Sequence, residues 1–219
     1  MSKKLKLREC TYCGNTENIT KDHIPPKNLF SPPRPNNLIS VPCCQNCNQI
    51  ASKDDEYFRA MLTMRIDTYE HPDVTKNWQK VLRSLKNPRK TGMRKSIMST
   101  LKEISLYTPG GIYLGVSGML QVNVERLLKV TERIIKGIFY FENDFRLPTD
   151  YNVKSFFLES VRIDKDVINL ISMAKTASPK TIGNGVFTYW SKPTIEDINT
   201  NLFLLLFYEK VAFIGFTFK

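Results

Sequence analysis

The sequence predicts an α+β protein, with a small strand–strand–helix module over residues 1–69 and a larger mixed α/β domain over 70–219. Three observations predict it. All five cysteines fall between Cys10 and Cys47, in a segment of a size at which a metal commonly replaces a missing core. Beyond them, strand-like alternation and helical apolar stripes follow one another to the end of the chain. The 42% hydrophobic content over 219 residues is that of a folded protein, which sets disorder aside.

Residues 1–9 read as a basic leader with an edge strand around Leu5 and Leu7. Cys10-x2-Cys13-Gly14 is a thiol knuckle: two intervening residues let both sulfurs face one ion, and the glycine permits the turn. Ile19 to Ile24 alternates as a short strand, with Asp22 and Ile24 on one face and His23 on the other. Pro25 and Pro26 end it. Lys27 to Pro35 carries too many prolines for a helix or a central strand and reads as a loop. Leu38 to Val41 is the return strand, and Cys44-x2-Cys47 the second knuckle. A helix begins around Asn48, more clearly at Ser52, where Ser52-x2-Asp55 has the form of a capping signature. Tyr57, Phe58, Met61, Leu62, Met64 and Ile66 form its apolar stripe.

The spacing then predicts basic helices within 73–106. Asp73 to Asn87 turns Trp78, Val81, Leu82 and Leu85 inward, and Arg94 to Leu106 forms the next helix. Gly110-Gly111 marks a turn before a strand or hairpin over Ile112 to Val124, and Val124 to Phe141 reads as a helix. Phe156 to Leu158 is a strand, Asp164 to Ala177 a helix and Gly185 to Trp190 a strand. A terminal hairpin over 202–218 turns at Tyr208-Glu209-Lys210.

The formal net charge of +11 is uneven: residues 1–108 carry net +9 and residues 109–219 net +2. Lys76 to Lys95 alone holds eight cations and no carboxylate. Such an excess attracts polyanions, which makes nucleic acid the first partner to consider, against a solvated basic face as the bland alternative. The leader lacks the apolar stretch of a secretory signal, which points to the cytoplasm. Leu202 to Phe218 is interrupted by Glu209 and Lys210, so no membrane span is expected.

Clustered cysteines in odd number, in a reducing compartment, favour metal over disulfides. Cys10, Cys13, Cys44 and Cys47 have the spacing of a closed four-thiolate zinc site, with Cys43 left as a small buried hydrophobe. Four thiolates leave no open position, so such a zinc is structural and chemistry must sit elsewhere. Asp22-His23 offers a place: a hard oxygen ligand beside a base of near-neutral pKa suits activation of water for attack on phosphorus. A carboxylate with carboxamide and water oxygens can hold Mg2+.

In order and spacing, Cys10-x2-Cys13, Asp22-His23-Ile24-x-Pro26, Asn37-Leu38 and Cys44-x2-Cys47-Asn48 resemble the zinc-stapled branch of the HNH endonuclease family over residues 10–60. The resemblance implies a ββα-metal finger that hydrolyses phosphodiester bonds, in DNA more than RNA. It makes His23 the general base, and Asp22 and Asn48 the ligands of a catalytic Mg2+ or Mn2+. Asn37 would orient the histidine, with Asn36 as its alternative. His71 reads as an exposed loop residue, and the acidic run Asp54-Asp55-Glu56 as a response to the helix dipole. The rival reading is a non-catalytic zinc module that binds nucleic acid or a protein. A third makes the chain a nuclease subunit of a phage-defence or mobile-element system, docking on an ATPase or sensor through its C-terminal domain.

Overall fold

The computed structural model describes residues 9–87 and 91–219, so the leader strand expected around Leu5 and Leu7 lies outside the described residues, as do residues 88–90 of the basic run. Strands β1 (Ile19–Ile24) and β2 (Ile39–Cys44) pair antiparallel, with His23 opposite Ser40 and Ile19 opposite Cys44. The proline-rich connection begins with a single 3-10 turn at Lys27–Leu29 and buries Leu29 and Phe30.

Helix α1 (Gln45–Thr63) follows β2 without a loop. It starts earlier than its sequence suggests because Cys44 is the N-cap: the Sγ accepts the Cys47 N–H at 3.5 Å. Ser52 instead lies inside the helix, its hydroxyl donating to Gln49 O at 2.7 Å. Tyr57, Phe58, Met61 and Leu62 are buried as the stripe requires, whereas Ile66 lies past the helix end and is exposed.

Helix α2 (Pro72–Lys86) is rotated from the expected orientation. Val74, Asn77, Val81 and Ser84 point inward, leaving Trp78, Leu82 and Leu85 half-buried. Polar anchoring sets this rotation, since Asn77 Nδ2 donates to Leu29 O at 2.8 Å and Ser84 Oγ to Glu56 at 2.6 Å. Helix α3 (Thr91–Met98) ends where a helix through Leu106 was expected. Leu101–Tyr107 is strand β3, paired with β4 (Tyr113–Leu120) across a turn in which Gly111 has φ +85°. Ser99 and Thr100 are weak helix formers. Beyond them, the ladder with β4 satisfies backbone groups that a helix would otherwise pair.

Helix α4 (Val124–Asn143) is capped by Asn123, whose Oδ1 accepts the Arg126 N–H, and it buries Leu127, Val130, Ile134, Ile135, Ile138 and Phe139. It packs on α1 and both strands of the first hairpin, and also on a five-stranded antiparallel sheet. That sheet contains β5 (Asn152–Phe157), β6 (Lys180–Ile182), β7 (Phe187–Pro193), β8 (Asn201–Phe207) and β9 (Val211–Phe218), ordered β5-β9-β8-β7-β6. Helix α5 (Lys165–Ala174) packs on β7 and β8.

The terminal hairpin β8–β9 is therefore interior, with Phe203, Phe207 and Phe213 fully buried. Each such ring contributes about 1.5–3 kcal/mol relative to exposure. One buried cluster joins Ile24, Val41 and Phe58 to Phe187, Phe207 and Phe213, so the core is continuous across the 69/70 boundary. Among the described residues no helix is long and apolar enough to cross a membrane.

Candidate functional site

Two loops bring four thiols together. The first knuckle closes through Gly14 N–H to Cys10 O at 2.9 Å, with Gly14 at φ +77°, and is laid against β2 by Thr11 N–H donating to Pro42 O at 3.0 Å. The second knuckle is the β2–α1 junction itself. The sulfurs of Cys10, Cys13, Cys44 and Cys47 lie within 4.8 Å of one another, a group that can hold a metal ion. Tetrahedral zinc with bonds of about 2.3 Å sets its sulfurs about 3.8 Å apart. Cys13 and Cys44 are already 3.7 Å apart. Burial works against the Cys10 thiolate, but hydrogen bonding from the backbone of Cys44, Cys13 and Tyr12 outweighs it and holds the thiol near pKa 7. Cys43 points elsewhere: it donates to Cys44 O, and burial pushes its thiol up to about 12.

The alternation of β1 separates Asp22 from His23. His23 is half-buried, and among the described residues its ring has no hydrogen-bond partner. Burial first, then the charges of Lys27, Arg34 and Lys21, push its pKa down, with Asp22 opposing them. Its surroundings therefore favour the neutral imidazole.

Asp22 faces the helices and is 7% exposed. Its Oδ2 accepts from Tyr12 Oη at 2.6 Å and lies 2.6 Å from Arg133 Nη2, while its Oδ1 accepts the His23 N–H at 2.9 Å. The Nη2 hydrogens are not aimed at the carboxylate, which makes this contact an ion pair and not a directed hydrogen bond. Arg133 Nη1 donates to both oxygens of Asp55 at 3.1 and 3.3 Å, and the guanidinium lies 5.0 Å from the Tyr12 ring centroid. Burial works against the Arg133 charge, but Tyr12, Asp22 and Asp55 more than restore it. Burial also raises Asp55 to about 6 despite Arg133.

The other candidates are dispersed. Asn48, on the first turn of α1, donates weakly to Thr20 Oγ1 at 3.5 Å. Asn37 donates to Thr181 O at 3.0 Å, turned toward β6, and Asn36 is exposed. His71 caps α2: its Nδ1 accepts the Asp73 N–H, its Nε2 lies 3.2 Å from Asn184 O and its ring packs on Tyr208. Because α1 begins at Gln45, the acidic run sits in its third turn, beyond the reach of the dipole. Asp54 and Asp55 instead dock α4, through Arg126 at 2.6 Å and Arg133 at 3.1 Å.

Zinc fits the four thiols. A divalent ion on Asp22 and Asn48 does not fit the cluster as it stands, because the Asp22 carboxylate is taken up by Arg133 and Tyr12 and a second cation would meet the guanidinium charge. Tyr12, Asp55 and Arg133 were not singled out as site residues from the sequence. The one local signal is that Arg126 and Arg133 stand seven residues apart at the edge of an apolar helical stripe. No family model, curated protein or solved structure matches the chain.

Proposed function

We propose that the chain is an endonuclease that hydrolyses phosphodiester bonds in nucleic acid, DNA more than RNA, with His23 as general base. The observation that carries this reading is the His23 ring: half-buried, without a protein partner among the described residues, and held toward its neutral form by burial and by the charges of Lys27, Arg34 and Lys21. Cations in that position attract a phosphodiester and stabilise the extra negative charge that builds at phosphorus. The neutral imidazole takes the proton of the attacking water, and the new P–O bond displaces the ester oxygen as leaving group.

On this reading β1, β2 and α1 are the ββα unit of the HNH resemblance, and a closed zinc on Cys10, Cys13, Cys44 and Cys47 staples it. The resemblance also implies catalytic Mg2+ or Mn2+ at Asp22 and Asn48. That donor set does not fit the ion while Arg133 and Tyr12 occupy the Asp22 carboxylate. A second reading, a zinc-stapled module that binds nucleic acid without cleaving it, is favoured by one specific observation, the engagement of Asp22 by Arg133 and Tyr12.

Plasmid cleavage by wild type and His23→Ala, each with Mg2+, with Mn2+ and with EDTA, separates the two readings. Cleavage lost in the variant supports the first. Equal cleavage by both proteins rules out His23 as the base. Retention of DNA in gel-shift assays without cleavage by either supports the binding module.

A further inference from the structure

A different face of α1 borders an open polar pocket of about 480 Å3, formed with α2 and the loop after β1. Arg59, Lys80 and Arg83 line it against one carboxylate, Glu56. Arg59 is 8% exposed, yet its Nε has no hydrogen-bond partner and its Nη2 comes no closer than 3.9 Å to Glu56. Among the described residues no acceptor matches this buried guanidinium closely, which leaves it open to one from a ligand.

Lys80 repeats the pattern. Among the described residues its Nζ donates only to the neutral Asn77 Oδ1, at 2.9 Å, and burial with the charges of Arg59, Arg34 and Arg83 pushes its pKa down against the pull of Asp73. On the opposite wall, Asn28 Nδ2 donates to Asp55 O at 3.1 Å, which fixes the amide and leaves Oδ1 as a buried acceptor without a partner. Among the described lining residues, three cations and one carboxylate leave a surplus of two positive charges, the charge complement of a phosphate monoester dianion and not of a single phosphodiester. No aromatic ring among the described residues lines the cavity, so none of them stacks a base there, while its volume leaves room for a sugar beside the phosphate.

We propose that this cavity binds a phosphate monoester through Arg59, Lys80 and Arg83, with Asn28 Oδ1 accepting from a ligand hydroxyl. The monoester belongs either to a free phosphorylated sugar or to the 5′ end of a nucleic-acid strand. The site does not depend on His23 being catalytic.

Binding is measured on the full chain in EDTA, without turnover, so failure here is distinct from failure of the nuclease reading. One pair of probes is ribose 5-phosphate against ribose. The other is a short single strand with a 5′-phosphate against the same strand with a 5′-hydroxyl. Preference for the phosphorylated member of the first pair alone identifies a free small molecule, and preference in the second pair identifies a strand end. Either preference is about tenfold or more, is competed by inorganic phosphate, and falls to near unity in Lys80→Gln/Arg83→Gln, whose partly exposed positions spare the core. Arg59→Lys, checked for folding by its melting curve, weakens it too. No preference in either pair overturns the proposal, as does a preference unchanged in the folded double variant.

Discussion

The guanidinium of Arg133 lies 2.6 Å from the carboxylate of Asp22, joining the middle of α4 to a strand more than a hundred residues earlier in the chain. It extends to Asp55 on α1, so one cation fastens strand, first helix and central helix at a single point. It also supplies, from within the chain, the positive charge that a bound ion would otherwise bring to Asp22. Replacing Arg133 by Met would leave the buried Asp22 and the partly buried Asp55 carboxylates without their cation, at a cost of about 3–5 kcal/mol. Urea melts are expected to report that loss. Millimolar Mg2+ is expected to raise the melting temperature of Arg133→Met and leave that of wild type unchanged. Equal response of both proteins would show that Arg133 does not stand in for a cation.

Asp55 gives the cluster a pH dependence. Burial raises its folded pKa from 3.8 to about 6, against the pull of Arg133 and with Asp22 and Asp54 adding to the rise. Between those two values the folded state keeps a proton that the unfolded chain has released. Its contribution is therefore full below about pH 4 and is lost as pH rises through 6, over a span worth roughly 3 kcal/mol at most. In Asp55→Asn this slope is absent. The stability of wild type relative to the variant is expected to fall between pH 4 and 6 in parallel denaturant melts, and a flat difference would contradict the raised value.

What could be read from the sequence was what is encoded locally. Strand β1, ended by Pro25, and the grouping of the two cysteine pairs depend on spacings of a few residues, and the structure contains both. The start of α1 did not, because Cys44 is not among the residues whose caps are recognised by composition, and its thiol does that work only once β2 has placed it. Likewise, β3 owes its strand conformation to β4, since its own pattern is compatible with a helix. The Tyr12–Asp22–Arg133–Asp55 cluster is the extreme case. Each member is an ordinary polar residue in its own segment, and only the docking of α4 on the hairpin makes them a site.

That docking is tight at one position. A Cβ on Gly137 would come within 2.5 Å of Ile24 Cγ1 and 2.6 Å of its Cδ1. In an exposed helix, Gly to Ala stabilises by about 1 kcal/mol. Here crowding against a buried isoleucine is expected to reverse the sign, with a net loss of about 1–2 kcal/mol. Ile24→Val, which shortens the facing side chain, is expected to recover part of the loss in the double variant Gly137→Ala/Ile24→Val. Additive effects in that double-mutant cycle would contradict the contact.

The cysteine-rich end permits a test that separates neighbouring thiols. Cys43 and Cys44 are adjacent, yet only Cys44 belongs to the group of four sulfurs, and Cys44 is also the N-cap of α1. Serine at 43 removes a buried thiol that contributes packing and one weak hydrogen bond to Cys44 O. Serine at 44 removes a ligand and disturbs the helix start together. Metal analysis of purified protein is expected to give about one zinc per chain for wild type and Cys43→Ser, and well below half that for Cys44→Ser and Cys13→Ser. A strong chelator should loosen the first knuckle, because Cys13 is exposed and its loop rests on β2 through few hydrogen bonds. The sheet β5–β9 holds most of the aromatic rings of the shared core and a separate cluster against α5, and should keep its circular dichroism under the same treatment. Zinc content unchanged in Cys44→Ser, or lost in Cys43→Ser, would reassign the ligand set.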